Sequence, residues 1–297
     1  MQSRRNFIKC ASIMVAGGVV APNLLSSCGS SKLSSGGRSS KYLGLQLYSL
    51  RDMVKDEGIQ KVLKAVSKMG YNSLETAGYN DGKIYGEDPG NLKKMADDLG
   101  MKLTSAHLSH NISKDHDADM AWWNKAVEAH NAAGMKYMVM PSSPLSGENA
   151  TLDNIKRYGD YFSEIGLITA GASIQFGYHN HAFEFENKVG GVPVYDLLLE
   201  NTSPNHVLFQ LDVYWIKKGG YEPVDYMKKY AKRIKVLHIK DETAIGAQNT
   251  VNYKDIFDQA YVNGIKDWYV EVENYDTTPQ EDVQKSAEFL KKADFVK

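Results

Sequence analysis

From residue 42 onward the chain alternates between two hydrophobic periods. Charged segments with a helical apolar repeat end in glycine, and a short apolar run begins within a few residues, as in KAVSKMG-YNSLETA, KKMADDLG-MKLTSAHL, EAHNAAG-MKYMVM and DQAYVNG-IKDWYVEVE. Gly70, Gly100, Gly134 and Gly264 stand where a helix ends in the left-handed conformation that glycine adopts without strain. The short runs supply eight strand candidates: LGLQLYS, NSLETA, KLTSAHL, KYMVM, SIQFGYHN, HVLFQLD, IKVLHIK and WYVEVE. Each is followed by a stretch long enough for a helix. Eight alternating units over 42–297, with no second linker or composition break, predict one α/β domain, a single (β/α)8 TIM barrel. No G-x-G-x-x-G or P-loop follows any strand, which argues against a doubly wound nucleotide-binding sheet.

Charge changes the picture only at the N-terminus. The 297 residues hold 35 Lys plus Arg and 36 Asp plus Glu, a formal charge of −1. Arg4, Arg5 and Lys9 fall within the first 27 residues, which carry no acid, so the remainder has 32 bases against 36 acids, or −4. Such a balance excludes a basic field for nucleic acid phosphates. SRRNFIK, followed by an uncharged Ala/Val/Gly-rich stretch, resembles a twin-arginine signal peptide: Ser3, Arg4, Arg5, Phe7, Ile8 and Lys9 fall on S-R-R-x-F-L-K with Ile for Leu. Leu25-Ser26-Ser27-Cys28 resembles a bacterial lipobox. Together these imply a removed segment over 1–27, a lipidated Cys28, and a periplasmic protein that meets the membrane only through its anchor. Residues 28–41 read as a Ser/Gly-rich tether. With Cys10 discarded and Cys28 lipidated, disulfides and thiol catalysis drop out. The twin-arginine route carries folded proteins, often with a cofactor already loaded, which directs attention to metal ligands.

Active sites of (β/α)8 barrels form at the C-terminal ends of the strands. Polar residues collect there: Gln46 and Tyr48 on strand one, Glu75 on two, His107 on three, His179 and His181 on five. Asp212 follows on six, His238 and Lys240 on seven, and Glu271 and Glu273 on eight. Side-chain alternation gives each of the pairs on strands five, seven and eight a common, barrel-facing parity, and turns Tyr178, Ile239 and Val272 outward. Ionisable groups inside a barrel are costly unless paired or metal-bound. Asp212, His238 and Glu271 form a carboxylate and imidazole set suited to one divalent ion, Mn2+, Zn2+, Co2+ or Fe2+, with a fourth ligand expected from strand five. Duller roles compete for single residues: a lone barrel histidine is commonly a hydrogen-bonded packing residue, and Lys240 can simply pair with Asp241 or Glu273. Trp215 can stack on a sugar face or pack in the core, and of Trp122-Trp123, in a helical segment, at least one is expected to be core.

At LGLQLYSLRD, SLETAGY, GYHNHAFEF, LDVYW, LHIKD and YVEVE the chain resembles the xylose isomerase-like barrel superfamily. That group holds sugar isomerases, epimerases, inosose dehydratases and the endonuclease IV branch. The resemblance implies metal ligation by Asp212, His238 and Glu271. Its strand-five ligand is usually a Glu in an E-N-H motif, whereas this chain has His179-Asn180-His181. Either His179 replaces that Glu, or Glu184 of the following HAFEFE loop folds back; strand position favours His179. The implied activity is that of a metal-dependent sugar isomerase or epimerase, moving a proton next to a carbonyl through an enediolate. His181, His107 and Glu271 are the candidate bases, with Gln46, Tyr48, Glu75, Glu184, Trp215, Lys240 and Glu273 expected at the substrate.

A sugar or keto-sugar is the expected partner, and a homo-oligomer is compatible with it. The HNHAFEF segment resembles the subgroup of inosose dehydratases and 3-keto-glycoside lyases or hydratases, so β-elimination from a keto-sugar is the alternative chemistry. A lipid-anchored carbohydrate-binding protein without catalysis is the alternative from another class. An endonuclease would need a cationic groove, which a charge of −4 disfavours.

Overall fold

The structure, a computed structural model, describes residues 41–248 and 250–297. The expected signal segment, Cys28 and the tether up to residue 40 lie outside the described residues. Lys41, expected to end the tether, donates from Nζ to the carbonyls of Lys291 and Ala293 at 3.0 and 2.6 Å.

Eight strands form the barrel: β1 (Gly44–Gln46), β2 (Ser73–Thr76), β3 (Lys102–His107), β4 (Tyr137–Met140), β5 (Gln175–His179), β6 (Val207–Asp212), β7 (Ile234–Lys240) and β8 (Asp267–Glu271). They pair in parallel in sequence order, and β1 closes the ring on β8 through Leu45 and Val270. This is the predicted (β/α)8 barrel. The helix Ile59–Met69 shows how the pattern produces it: Ile59, Val62, Leu63, Val66 and Met69 bury one stripe, and Gly70, at φ 91°, ends the helix and turns the chain toward β2. Gly44 marks the tightest approach in the ring, since a Cβ there would lie 2.0 Å from the Trp268 carbonyl oxygen on β8. Among the described residues, no helix is long and apolar enough to cross a membrane.

The barrel interior is stratified. Leu208, Val236 and Tyr269, with Tyr137 against them, fill its lower end, and the Tyr269 hydroxyl shares a 2.8 Å hydrogen bond with Thr104. Polar side chains occupy the upper end. Two register shifts flank that polar layer, one between β2 and β3 at Leu74/Glu75 and one between β6 and β7 at Phe209/Gln210. Local irregularities of this kind re-aim side chains, and both adjoin residues that reach across the barrel centre.

Three strands end earlier than their apolar runs suggest, each for a local reason. The Gln46 side chain accepts the Tyr48 N–H at 3.0 Å, so the backbone leaves β1 for a 3-10 turn over Leu47–Leu50, and Tyr48 sits on that turn instead of on a strand. At the end of β5, the Asn180 side chain takes the Asp212 N–H at 3.0 Å, which places His181 beyond the strand. The Val272 N–H turns to the Ser49 hydroxyl at 3.0 Å, so Glu273 also stands past its strand, β8. Two small hairpins, Tyr79–Asn80 with Lys83–Ile84 after β2 and Lys188–Val189 with Val192–Pro193 after β5, are absent from the sequence reading.

Candidate metal centre and cleft

Glu75 occupies the middle of the polar layer and is fully buried. One carboxylate oxygen accepts from Gln46 Nε2 at 2.8 Å and His238 Nε2 at 2.5 Å; the other accepts from Ser105 Oγ at 2.6 Å and Gln210 Nε2 at 2.8 Å. Burial favours the neutral acid, but His107 and His238 outweigh it and hold Glu75 at about 2. His238 is the counterpart. Burial opposes its charge, yet Glu75, and Glu271 on its other face at 3.3 Å, push it up to about 10.

Gln210 completes the layer. Its carbonyl oxygen accepts from His107 Nε2 at 2.7 Å and His179 Nδ1 at 3.0 Å, which fixes both rings and leaves Nε2 of His179 free to bind elsewhere. His107 stacks on His238 with ring centres 5.0 Å apart. Burial, followed by the neighbouring His238, His107 and His181, pushes His179 well below the usual imidazole range, which leaves the neutral ring that a metal requires.

Asp212 has two distinct oxygens. Oδ1 accepts the N–H groups of Tyr214 and Trp215 at 2.9 and 2.7 Å and so caps the helix Val213–Lys218. Oδ2 is buried and has no hydrogen-bond partner among the described residues. Burial pushes Asp212 up to about 7 against the pull of Lys240 and His238. Donor atoms of His179, Asp212, His238 and Glu271 all lie within 4.8 Å of one another. In the alternative trio, His107, His179 and His238, each ring already has one nitrogen hydrogen-bonded to Gln210 or Glu75, and no carboxylate is included. The quartet therefore fits a divalent ion better: it contains an orphaned carboxylate oxygen, neutral His179, and His238 with Nε2 already braced by a carboxylate.

Above the quartet opens a cleft of about 400 Å3. Tyr48, His107, His179, His181, Glu271 and Glu273 are among the residues that line it. Gln46 and Glu75 were expected at the substrate but lie beneath the quartet, fully buried, with their polar atoms hydrogen-bonded to each other and to neighbours. Lys240 is also buried, bridging Glu271 at 3.3 Å and Glu273 at 2.7 Å, with its ammonium 5.6 Å from the Trp215 ring centre. Trp215 stands behind His181 at 5.6 Å and does not line the cleft.

Glu184 does not reach the quartet as either ligand or substrate contact. Its Oε1 accepts from the Tyr178 hydroxyl at 2.7 Å and its Oε2 from the His181 N–H at 2.8 Å, so it holds the His-Asn-His turn from below. Burial pushes its pKa up to about 8 against those two donors. A folded-state pKa above the unfolded value of 4.5 means that the folded chain keeps a proton the unfolded chain loses. This contribution to stability is whole below 4.5 and declines as pH rises toward 8. Glu184→Gln, with its oxygen on the His181 N–H and its amide donating to Tyr178, is expected to match wild type at pH 5 and exceed it at pH 9. Glu184→Ala should cost about 1–3 kcal/mol by stranding the His181 N–H and leaving the Tyr178 hydroxyl with Ser143 alone. Urea unfolding at the two pH values checks both; equal pH dependence in Glu184→Gln and wild type would refute the assignment.

Ser105 and Gln210 were missed by the sequence reading. Each stands two residues before a singled-out position, Ser105 before His107 and Gln210 before Asp212, so strand parity would have found them.

A closed parallel barrel that buries a His/carboxylate quartet beneath a cleft at its strand C-termini defines an α/β barrel protein equipped for a small polar ligand. Residues 63–293 match the family described as Xylose isomerase-like TIM barrel, and the chain belongs to it. It is similar to the crystal structure of a sugar phosphate isomerase/epimerase from Parabacteroides distasonis ATCC 8503, with 37% identity and a TM-score of 0.80 over 86% of this chain and 100% of that one. The inosose dehydratase of Geobacillus kaustophilus (strain HTA426) is 24% identical over 203 residues, and the match spans 61% of this chain and 61% of that protein's length. The IOLI protein, whose crystal structure carries a zinc atom, shares the fold at a TM-score of 0.65 and 15% identity, over 83% of this chain and 95% of that one.

Proposed function

We propose that the protein is a divalent-metal-dependent sugar isomerase or epimerase. The observation that carries this reading is the buried Oδ2 of Asp212, without a hydrogen-bond partner among the described residues and set within reach of donor atoms on His179, His238 and Glu271. A zinc atom in the structure of a fold relative supports it. Held by these four residues, one ion supplies a Lewis acid for a substrate carbonyl. The chain's own groups do the rest. His181 lines the cleft, its buried Nδ1 has no hydrogen-bond partner among the described residues, and burial lowers its pKa, so it stands as a neutral base at pH 7. Glu271 is a poorer base, because against burial Lys240 and His238 hold it well below the carboxylate range. His107 gives its Nε2 proton to Gln210. Glu273 at the cleft wall, held by the buried Lys240 at 2.7 Å, can orient a hydroxyl.

The similarity to inosose dehydratases supports a second outcome of the same proton abstraction, loss of a β-substituent from a keto-sugar. The resemblance of the N-terminus to a twin-arginine signal and a lipobox supports a periplasmic location for this activity, on an anchor at Cys28.

Elemental analysis of the purified protein is expected to find about one divalent ion per chain. A panel of sugars, keto-sugars and 3-keto-glycosides should show turnover, or exchange of a carbon-bound proton with deuterated solvent, that chelation removes and Mn2+, Co2+ or Zn2+ restores. His181→Ala should slow the exchange about a hundred- to ten-thousandfold with metal retained. A metal-free protein that gains nothing from added ions would instead be a carbohydrate-binding barrel.

A further inference from the structure

His179 and Glu271 of the quartet, with His107 and His181, line only part of the cleft. Opposite them, on the β2 to β4 side, the lining is Tyr79, Ser109, Trp122, Pro141 and Ser142, none of which has a part in the proton chemistry. Trp122 lies on the helix His116–Ala132 after β3 and is built in on several sides. His110 stacks on its indole with ring centres 4.4 Å apart and planes within 10°. His110 is itself held by the buried Asp119, whose Oδ1 pairs with its Nε2 at 2.9 Å while Oδ2 accepts the Ser113 N–H. Trp123, fully buried, meets Trp122 edge-on at 4.9 Å, and Tyr79 of the first hairpin does so at 5.2 Å. Trp122 is thus a rigid aromatic plate set into the wall of a polar cleft, and the rear stacking on a braced His110 fixes its orientation. Such a plate suits the apolar face of a pyranose ring.

The charges add a second constraint. Among the described residues lining the cleft, two are carboxylates, Glu271 and Glu273, and none is Lys or Arg. Lys240 behind them is already paired with both. Arg51, below Tyr48, donates to the Tyr48 carbonyl, the Tyr275 hydroxyl and the Glu273 carbonyl. Away from the ion proposed at the quartet, a phosphate dianion would meet carboxylates here with no Lys or Arg side chain in the lining to pair with it, whereas a neutral sugar meets hydroxyls, imidazoles and rings.

We propose that the substrate is a neutral two-ring glycoside, with the reacting sugar over His179, His181 and Glu271 and the second ring seated on Trp122. This rests on the proposed function for the reacting ring, and it names the class of sugar. The cleft, at about 400 Å3, falls in the range that holds drug-sized ligands of more than one ring.

Binding is tested apart from turnover, by titration calorimetry on the intact protein with methyl α- and β-glucosides and galactosides, the matching disaccharides, and glucose 6-phosphate. At least one disaccharide is expected to bind about tenfold or more tightly than its methyl glycoside, a difference of about 1.4 kcal/mol, with the phosphate ester weakest. Trp122→Ala should bring the two affinities within about twofold, and Trp122→Phe should keep part of the preference. Equal affinity for one and two rings in the wild type, tighter binding of the phosphate ester, no saturable binding of any glycoside, or a preference that survives Trp122→Ala would each overturn the proposal. The wild-type comparison decides even if an exchanged variant fails to fold. Two-ring preference without turnover would overturn the proposed activity alone, and turnover without the preference would overturn the second-ring site alone.

Discussion

Asp212→Asn is expected to give a folded barrel that retains no divalent ion and loses activity by at least about a hundred- to a thousandfold. The two oxygens of Asp212 allow so clean a separation. Oδ1 caps the helix Val213–Lys218, and an asparagine keeps that acceptor; Oδ2 is the orphan facing the quartet, and an amide nitrogen there cannot ligate a metal. Asp212→Ala loses the cap as well, at about 1 kcal/mol, and confuses the two roles. The metal-free proteins should differ in the opposite sense. Because burial raises Asp212 from 3.8 to about 7, the folded chain holds a proton over that window that the unfolded chain gives up, and stability falls as pH rises through it. Asparagine removes that fall, so the variant without metal should equal or exceed metal-free wild type at pH 8. Elemental analysis and thermal unfolding, with and without chelator, measure both effects. Wild-type metal content in Asp212→Asn would refute the quartet as the binding site.

How far the sequence revealed this site depends on the kind of information involved. The barrel was legible because apolar runs recur eight times, four of them just after a helix that ends in glycine, and period and punctuation are local properties. The quartet was legible for a related reason: strand-end position and parity put Asp212, His238 and Glu271 on one face, and the structure brings their donor atoms together with His179. What lies below the site was not legible. Glu75 and Gln46 carry the same polar signature as residues that face a ligand, and only the register shift beside Glu75 and the arrival of Gln210 from β6 turn them into a buried scaffold. Glu184 misled for a similar reason, since its distance from His179 in the chain is short while a helical turn over Phe183–Glu186 directs it to Tyr178. Trp122 was hidden by periodicity, because adjacent tryptophans on a helix read as core, and one of them is.

Glu75 carries the second large prediction, and it concerns stability as much as metal. Glu75→Ala should destabilise the metal-free barrel by about 3–5 kcal/mol, because it leaves a buried imidazolium and the donors of Gln46, Ser105 and Gln210 without their acceptor. For a domain of this size that is a fall of roughly 6–20 °C in Tm. Glu75→Gln is the more informative variant. Four donors converge on the carboxylate, and an amide nitrogen must face two of them, so the exchange still destabilises although its volume is unchanged. The pH dependence identifies the pair. Glu75 falls from 4.5 to about 2 on folding, so its contribution is whole above 4.5 and disappears as pH drops toward 2. His238 rises from 6.5 to about 10, so its contribution is whole below 6.5 and disappears as pH climbs toward 10. Their joint stabilisation therefore peaks between 4.5 and 6.5. In Glu75→Gln the acid limb should flatten and the alkaline limb should move to lower pH, since His238 loses its 2.5 Å carboxylate partner and keeps the more distant Glu271 at 3.3 Å and Asp212 at 4.0 Å. Metal affinity should fall about ten- to a hundredfold, because His238 loses the carboxylate that orients it. Urea midpoints of the two metal-free proteins from pH 3 to 10 read out the limbs, and a metal titration reads the affinity. A variant within about 0.5 kcal/mol of wild type at pH 5.5 would show that the Glu75–His238 contact does not anchor the site.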